Sequence, residues 1–160
     1  MNEDKKSYGK IDFIKKPHVM VVEARFYEDI ADMLFAGAKA VFDMNGATYE
    51  RFTVPGALEI PAAVEMGVQS GRFDAYLALG CVIRGETSHY DIVAGESSRG
   101  LMNISTGHGI ALGNGILTVE SRPQAEARAN PAEMDKGGGA AQAALEMAAL
   151  KERVNAGSGR

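Results

Sequence analysis

Short apolar runs separated by segments of helical period constrain this chain more than any other feature. His18–Glu23 (HVMVVE) and Asp74–Ile83 (DAYLALGCVI) are nearly continuous in apolar character. Such runs suit strands covered on both faces, as in parallel sheets. Ala47–Val54 reads as a further strand, and so does Ile110–Val119, with Gly113-Asn114-Gly115 as an interruption. Between them, Glu28–Met44 places Ile30, Met33, Leu34, Ala38, Val41 and Phe42 at helical spacing, and Asn45-Gly46 closes that helix. Ala57–Ser70 reads as a helix with Pro61 in its first turn, where proline is tolerated, and Gly71 as its stop. Helices are also predicted over Tyr90–Ser105, Pro123–Ala129 and Lys136–Val154. The order β-α-β-α-β-α-β-α-α with right-handed crossovers predicts an α/β fold. It is a flavodoxin-like, doubly wound, four-stranded parallel sheet with helices on both faces.

One domain over residues 17–154 accounts for a chain of 160 residues. Residues 1–16 are polar and without period. They read as a flexible arm, either a disordered tail or a segment that adds to a neighbour's sheet edge. Residues 155–160 are small and polar and read as a frayed end. A net charge of −4 argues against general nucleic-acid binding, which needs a basic face. No segment carries a leader's apolar core or a membrane span, and the single cysteine, Cys81, allows no internal disulfide. A cytoplasmic location follows as the expectation. The histidines are scattered and the cysteine is alone, so no metal signature is present.

Ligands of open α/β sheets bind beyond the carboxyl ends of the strands. Those ends carry Arg25-Phe26, then Val54 through Glu59, then Arg84 through His89, then Thr118 through Arg122. Gly85-Glu86-Thr87-Ser88-His89 is a turn entering a helix. Its N–H groups and hydroxyls suit an anion, or serve as an ordinary N-cap. His89 is of the residue type that most often moves protons in catalysis, and the bland alternative is a structural histidine. His18 and His108 take the structural reading. Glu59 either accepts hydrogen bonds from a polyol or favours the helix dipole. Phe26 stacks on a planar ring or belongs to the core. Arg128 and Lys136 match an anion or are solvated surface charges. Neither Gly137-Gly138-Gly139 nor Gly107–Gly115 has the spacing of a nucleotide-binding loop.

Three stretches together resemble the lumazine synthase family. They are Val54-Pro55-Gly56-Ala57-Leu58-Glu59-Ile60-Pro61, Leu79-Gly80-Cys81-Val82-Ile83-Arg84-Gly85-Glu86-Thr87-Ser88-His89-Tyr90-Asp91 and Gly115-Ile116-Leu117-Thr118-Val119-Glu120. The resemblance runs from about His18 to Leu150. It implies the penultimate step of riboflavin synthesis, condensation of 5-amino-6-(D-ribitylamino)uracil with 3,4-dihydroxy-2-butanone 4-phosphate, without a cofactor. By the same resemblance Phe26 stacks on the pyrimidine, and Ala57, Leu58 and Glu59 hold the ribityl chain. Cys81, Val82 and Ile83 read the pyrimidine edge through their backbone. Glu86 and Thr87 form the phosphate loop, and His89 moves protons. Asn114, Arg128 and Lys136 reach into a neighbouring subunit's site, with Arg128 stabilising the departing phosphate, in a homopentamer.

The chain departs from the family's pattern in three places. Asn114 stands where many members carry an aromatic residue, and Cys81 where threonine is common. Residues 129–135 lack the Gly/Lys-rich turn associated with icosahedral shells. The alternatives weighed against the enzyme are a low-activity paralogue that binds lumazine or flavin, and an assembly scaffold.

Overall fold

The computed structural model describes residues 8–157. The strands are β1 (His18–Ala24), β2 (Thr48–Val54), β3 (Ala75–Ile83) and β4 (Leu112–Val119). The α-helices are α1 (Glu28–Asn45), α2 (Ile60–Ser70), α3 (His89–His108), α4 (Arg122–Ala129) and α5 (Lys136–Gly157). All pairings are parallel, in the order β2-β1-β3-β4. This is the doubly wound sheet expected. Its winding direction reverses between β1 and β3, so the loops after those two strands open a crevice at the carboxyl edge.

Alternation along the strands builds two cores. Val19, Val21, Leu77, Leu79, Leu117 and Val119 face α1, α4 and α5. Met20, Val22, Tyr76, Ala78 and Val82 face α2 and α3, meeting Ile60, Val64, Val93 and Leu101. With both faces covered, strand ends are where polar chemistry reaches solvent. Gly46, Gly71 and Gly109 end α1, α2 and α3 in the left-handed conformation.

Two sequence expectations need correction. The stretch Gly113-Asn114-Gly115 does not interrupt β4, which runs unbroken and pairs with Leu77–Leu79 through these residues. The glycines are there because α5 lies against the strand: a Cβ on Gly113 would sit 2.0 Å from the Ala140 carbonyl oxygen. The predicted helix start at Ala57 is also too early. Ala57–Glu59 forms a 3-10 turn, and the α-helix begins at Ile60.

The ends of the chain behave differently from a free arm and tail where they are described. Residues 8–16 form no strand. Ile11 N–H donates to Asn45 Oδ1 at 2.8 Å, and the N–H groups of Ile14 and Lys15 each donate to Glu152 at 3.0 Å. Tyr8, Ile11 and Phe13 pack on the core of their own chain. Helix α5 continues to Gly157, so residues 155–157 are helical. The rest of the predicted arm, 1–7, and of the predicted frayed end, 158–160, lies outside the described residues.

A buried charge holds the carboxyl end of β1. Glu23 is 2% exposed. Its carboxylate accepts from Arg25 Nη1 at 2.8 Å, from Arg51 Nε at 2.7 Å and from Arg51 Nη2 at 3.0 Å. Arg25 also pairs with Asp32 on α1, and the Arg51 guanidinium lies 3.5 Å from the Phe35 ring centroid. A buried carboxylate needs such partners, because stripping them away costs about 3–5 kcal/mol. The clamp joins β1, β2 and α1 next to Phe26 in sequence.

The close approach of α5 to β4 yields a stability prediction. Gly113→Ala should destabilise the chain by roughly 1–3 kcal/mol through overpacking against backbone that cannot move aside. Urea unfolding at fixed protein concentration measures it. An unchanged midpoint would mean that α5 is not seated on β4 in this way.

Candidate active site

The carboxyl edge assembles from loops that the fold places side by side. Phe26 follows β1 and is 77% exposed, with only the edge of Tyr27 against it at 4.9 Å between ring centroids. An aromatic ring left this open, beside a clamped strand end, is a ready platform for a flat ligand. After β2, Ala57 is buried while Leu58 and Glu59 are exposed. Glu59 makes no capping bond to α2, so its carboxylate is not consumed as a helix cap. At the end of β3, Val82 points into the α2/α3 core, and Cys81 and Ile83 are half-buried against the other face.

The loop after β3 completes this edge. Glu86, Thr87, Ser88 and His89 are all exposed. Thr87 Oγ1 accepts from the His89 N–H at 3.3 Å, and the Ser88 side chain makes no cap hydrogen bond. The first turn of α3, with His89 as its first residue, therefore opens to solvent, the side from which an anion can approach a helix N-terminus.

The cations around this end divide into two kinds. Arg84 pairs with Glu120 at 2.6 Å and with Asp91 at 3.4 Å. Arg122 pairs with Asp29, and with Glu126 at 3.2 Å. These are committed to carboxylates. Among the described residues Arg128 and Lys136 have no ion pair; Arg128 Nη1 donates only to the Gln124 carbonyl, at 3.2 Å. Both remain half-buried with charge available to an anion.

The structure does not gather every expected residue at one place in the chain. Phe26, Ala57–Glu59, Cys81–Ile83 and Glu86–His89 share the carboxyl edge. Asn114 does not. It pairs in register with Ala78, in mid-sheet on the edge strand β4, where its Oδ1 accepts from the Ile116 N–H at 3.0 Å. Cys81 pairs with Leu117, three residues further on, so Asn114 lies about 10 Å short of that edge along the strand. Arg128 and Lys136 stand on α4 and at the start of α5, on the face of the sheet opposite α3. Among the described residues, none of these three bonds to Phe26 or His89.

The two other histidines have structural partners, as expected. His18 meets Thr48 Oγ1 and Glu50 Oε2, each at 2.7 Å, and His108 meets Glu65 at 2.8 Å. A cavity of about 390 Å³, lined among others by Phe13, Phe73, Tyr76 and Lys151, opens at the opposite, amino-terminal end of the strands. None of the expected site residues lines it. No group of three or more His, Cys, Asp or Glu among the described residues could hold a metal ion, and no helix there is long and apolar enough to cross a membrane.

The sequence reading missed the Glu23–Arg25–Arg51 clamp and the Arg84–Glu120 pair. The first had a visible signal: a glutamate closing an otherwise apolar strand must find a cation. The second brings together residues 36 apart in sequence and becomes visible only with β3 beside β4.

Burial pushes the Cys81 thiol up to about 11, above its ordinary value. At neutral pH the group is a thiol, not a nucleophile, and it packs as a small apolar side chain. Because the folded state holds this proton more tightly, its contribution to stability is present below the free thiol's pKa and is lost as pH rises toward 11. At pH 8 only about one thousandth of the native thiol is ionised, so iodoacetamide should label native Cys81 far more slowly than unfolded Cys81. Equal rates would show an exposed, unshifted thiol.

Comparison with known proteins identifies the family of this chain. The family model for 6,7-dimethyl-8-ribityllumazine synthase matches residues 16–152. The chain is 59% identical over 142 residues to the 6,7-dimethyl-8-ribityllumazine synthase of Methylorubrum populi, spanning 86% of this chain and 84% of that one. It is 56% identical over 140 residues to the protein of that name from Sphingopyxis alaskensis, covering 88% and 99%. A relative of that name from Agrobacterium fabrum is 52% identical over 146 residues, covering 88% and 99%. The two committed arginines, the two uncommitted cations and the open aromatic ring are thus features of a chain that belongs to the 6,7-dimethyl-8-ribityllumazine synthase family.

Proposed function

We propose that this chain condenses 5-amino-6-(D-ribitylamino)uracil with 3,4-dihydroxy-2-butanone 4-phosphate to form 6,7-dimethyl-8-ribityllumazine. The observation that carries this reading is the shared carboxyl edge of Phe26, Ala57–Glu59, Cys81–Ile83 and Glu86–His89 in a chain of this family. The pyrimidine lies on Phe26 with its edge on the backbone of Cys81–Ile83. The ribityl hydroxyls meet Ala57, Leu58 and Glu59. The phosphate sits at Glu86-Thr87 and the first turn of α3.

The chemistry needs proton movement and charge stabilisation. The free amine attacks the ketone, and water leaves as the imine forms. Removal of the proton on the hydroxyl-bearing carbon beside the imine expels phosphate and leaves an enol, which tautomerises to a ketone; the ribityl-bearing amine then closes on that ketone with loss of a second water. His89 gives and takes protons in these steps. Arg128 stabilises the leaving phosphate, Lys136 adds a second cation, and the Thr87 loop adds neutral donors. Holding both substrates on one edge removes much of the entropic barrier. No step transfers electrons to an external acceptor, so the reading assigns no cofactor and no metal.

The same reading places the site between two copies of the chain, in a homopentamer acting in the cytoplasm. Support comes from Asn114, Arg128 and Lys136. They lie away from the Phe26–His89 edge and are free to serve an adjacent copy's edge.

Incubating both substrates with the purified protein and following lumazine absorbance tests the activity. Binding of both without product would make the chain a ligand binder instead. His89→Ala should lower turnover roughly 10- to 10³-fold with an unchanged unfolding midpoint. A rate equal to wild type would remove His89 from the mechanism. Arg128→Ala should chiefly raise KM for the phosphate substrate, and a change confined to the pyrimidine's KM would refute that assignment. Mixing Phe26→Ala and Arg128→Ala proteins should restore part of the activity once subunits exchange, because hybrid oligomers contain intact shared sites.

A further inference from the structure

We propose that Arg84 is a positioning residue: its guanidinium clasps the two ends of the Gly85–His89 loop and holds His89 at the carboxyl edge. The inference rests on the function proposed for that edge, and it concerns a residue to which that reading assigns no part.

The loop has little else to hold it. Its residues are exposed, and a Cβ added at Gly85 would meet nothing within 4 Å. Inside it the fixed contacts are the His89 N–H on Thr87 Oγ1 at 3.3 Å and the Asp91 N–H on the Ser88 carbonyl at 3.0 Å. Arg84 spans the gap. Its backbone N–H continues the ladder onto the Val119 carbonyl at 2.9 Å. Its Nε donates to Glu120 Oε2 at 2.6 Å, just past the end of β4. Its Nη1 reaches Asp91 Oδ1 at 3.4 Å, in the first turn of α3. Its Cζ lies 4.2 Å from the centroid of the Tyr90 ring, on the residue after His89. One side chain thus ties β4's exit to both residues that follow His89.

These contacts also separate Arg84 from the phosphate ligands. Its Nε and Nη1 are engaged by Glu120 and Asp91, whereas Arg128 and Lys136 hold no carboxylate among the described residues. Lysine can stand in for Arg84 only in part, because a single ammonium lacks the fork of donors that reaches two carboxylates beside the Tyr90 ring. Exposed ion pairs contribute little to global stability, so loss of the clasp should appear in the loop and not in the unfolding midpoint.

The test compares wild type, Arg84→Met and Arg84→Lys, each also in a His89→Ala background. Arg84→Met should lower kcat roughly 10- to 100-fold, with the pyrimidine KM unchanged and Arg84→Lys only partly rescuing. In the His89→Ala background the same change should cost less than about 3-fold, because both act through one group. Amide exchange over residues 85–93, followed by mass spectrometry without substrates, should be faster in Arg84→Met with the rest of the chain unaltered. Additive losses in the double variant, or unchanged exchange over 85–93, would overturn the inference. If wild type makes no lumazine, the proposed function fails, and the exchange measurement alone decides whether Arg84 orders the loop.

Discussion

The seating of α5 against α1 and β4 sets the geometry on which the rest depends. Backbone meets backbone here. A Cβ at Gly137 would lie 2.0 Å from the Leu34 carbonyl oxygen, and one at Gly113 the same distance from that of Ala140. Such contact allows no adjustment by side-chain rotation, so α5 has one position relative to the sheet. Asp135 turns the chain into α5 with a positive φ of 49°, and its carboxylate accepts from the Gly138 N–H at 3.2 Å. Lys136 is therefore delivered to a fixed point at the start of the helix. Short α4, capped by Ser121 on the Gln124 N–H, does the same for Arg128. The cations assigned to phosphate thus stand on rigid elements.

Charge is distributed by the same economy. Near the carboxyl edge Arg25, Arg51, Arg84 and Arg122 are bound to Glu23, Asp32, Glu120, Asp91, Asp29 and Glu126. They fix strand ends and helix starts. Arg128 and Lys136 hold no such partner among the described residues. An anion arriving there meets cations it need not win from a carboxylate, and its binding does not dismantle the clamps that shape the edge. A mildly acidic chain can in this way present a local anion site without a basic surface.

The sequence made the element order, the strand alternation and the carboxyl-edge clusters legible because each rests on local period or on a compact motif. Boundaries moved where tertiary packing decided them. Glycine at 113 and 115 looks like a break when only propensity is considered, yet packing against α5 turns it into a requirement for an unbroken strand. Gly137-Gly138-Gly139 lacks the spacing of a nucleotide-binding loop, and Gly137 serves the contact with Leu34. The segment 8–16 has no period, so its attachment through Asn45 and Glu152 could not be read. Those bonds join residues as far as 138 apart.

The described chain also bears on why one copy would be insufficient for this chemistry. Phe26 offers a ring with one face uncovered, and the loop Glu86–His89 stands in solvent. Water at such a site weakens every charge–charge interaction and competes for the imine. Meanwhile Asn114 stands on the edge strand, Arg128 in the last turn of α4 and Lys136 at the start of α5, and neither cation has an ion pair among the described residues. A second copy laid along β4 would supply what each surface lacks: cover for the ring, cations for the phosphate, and a partner for an unpaired strand edge. Asn114 already occupies the Ile116 N–H on that edge, which discourages simple strand-to-strand addition at that point and favours docking through side chains. In the oligomer proposed above, the neighbour's contribution would be a set of groups held in place by its own α4 and α5.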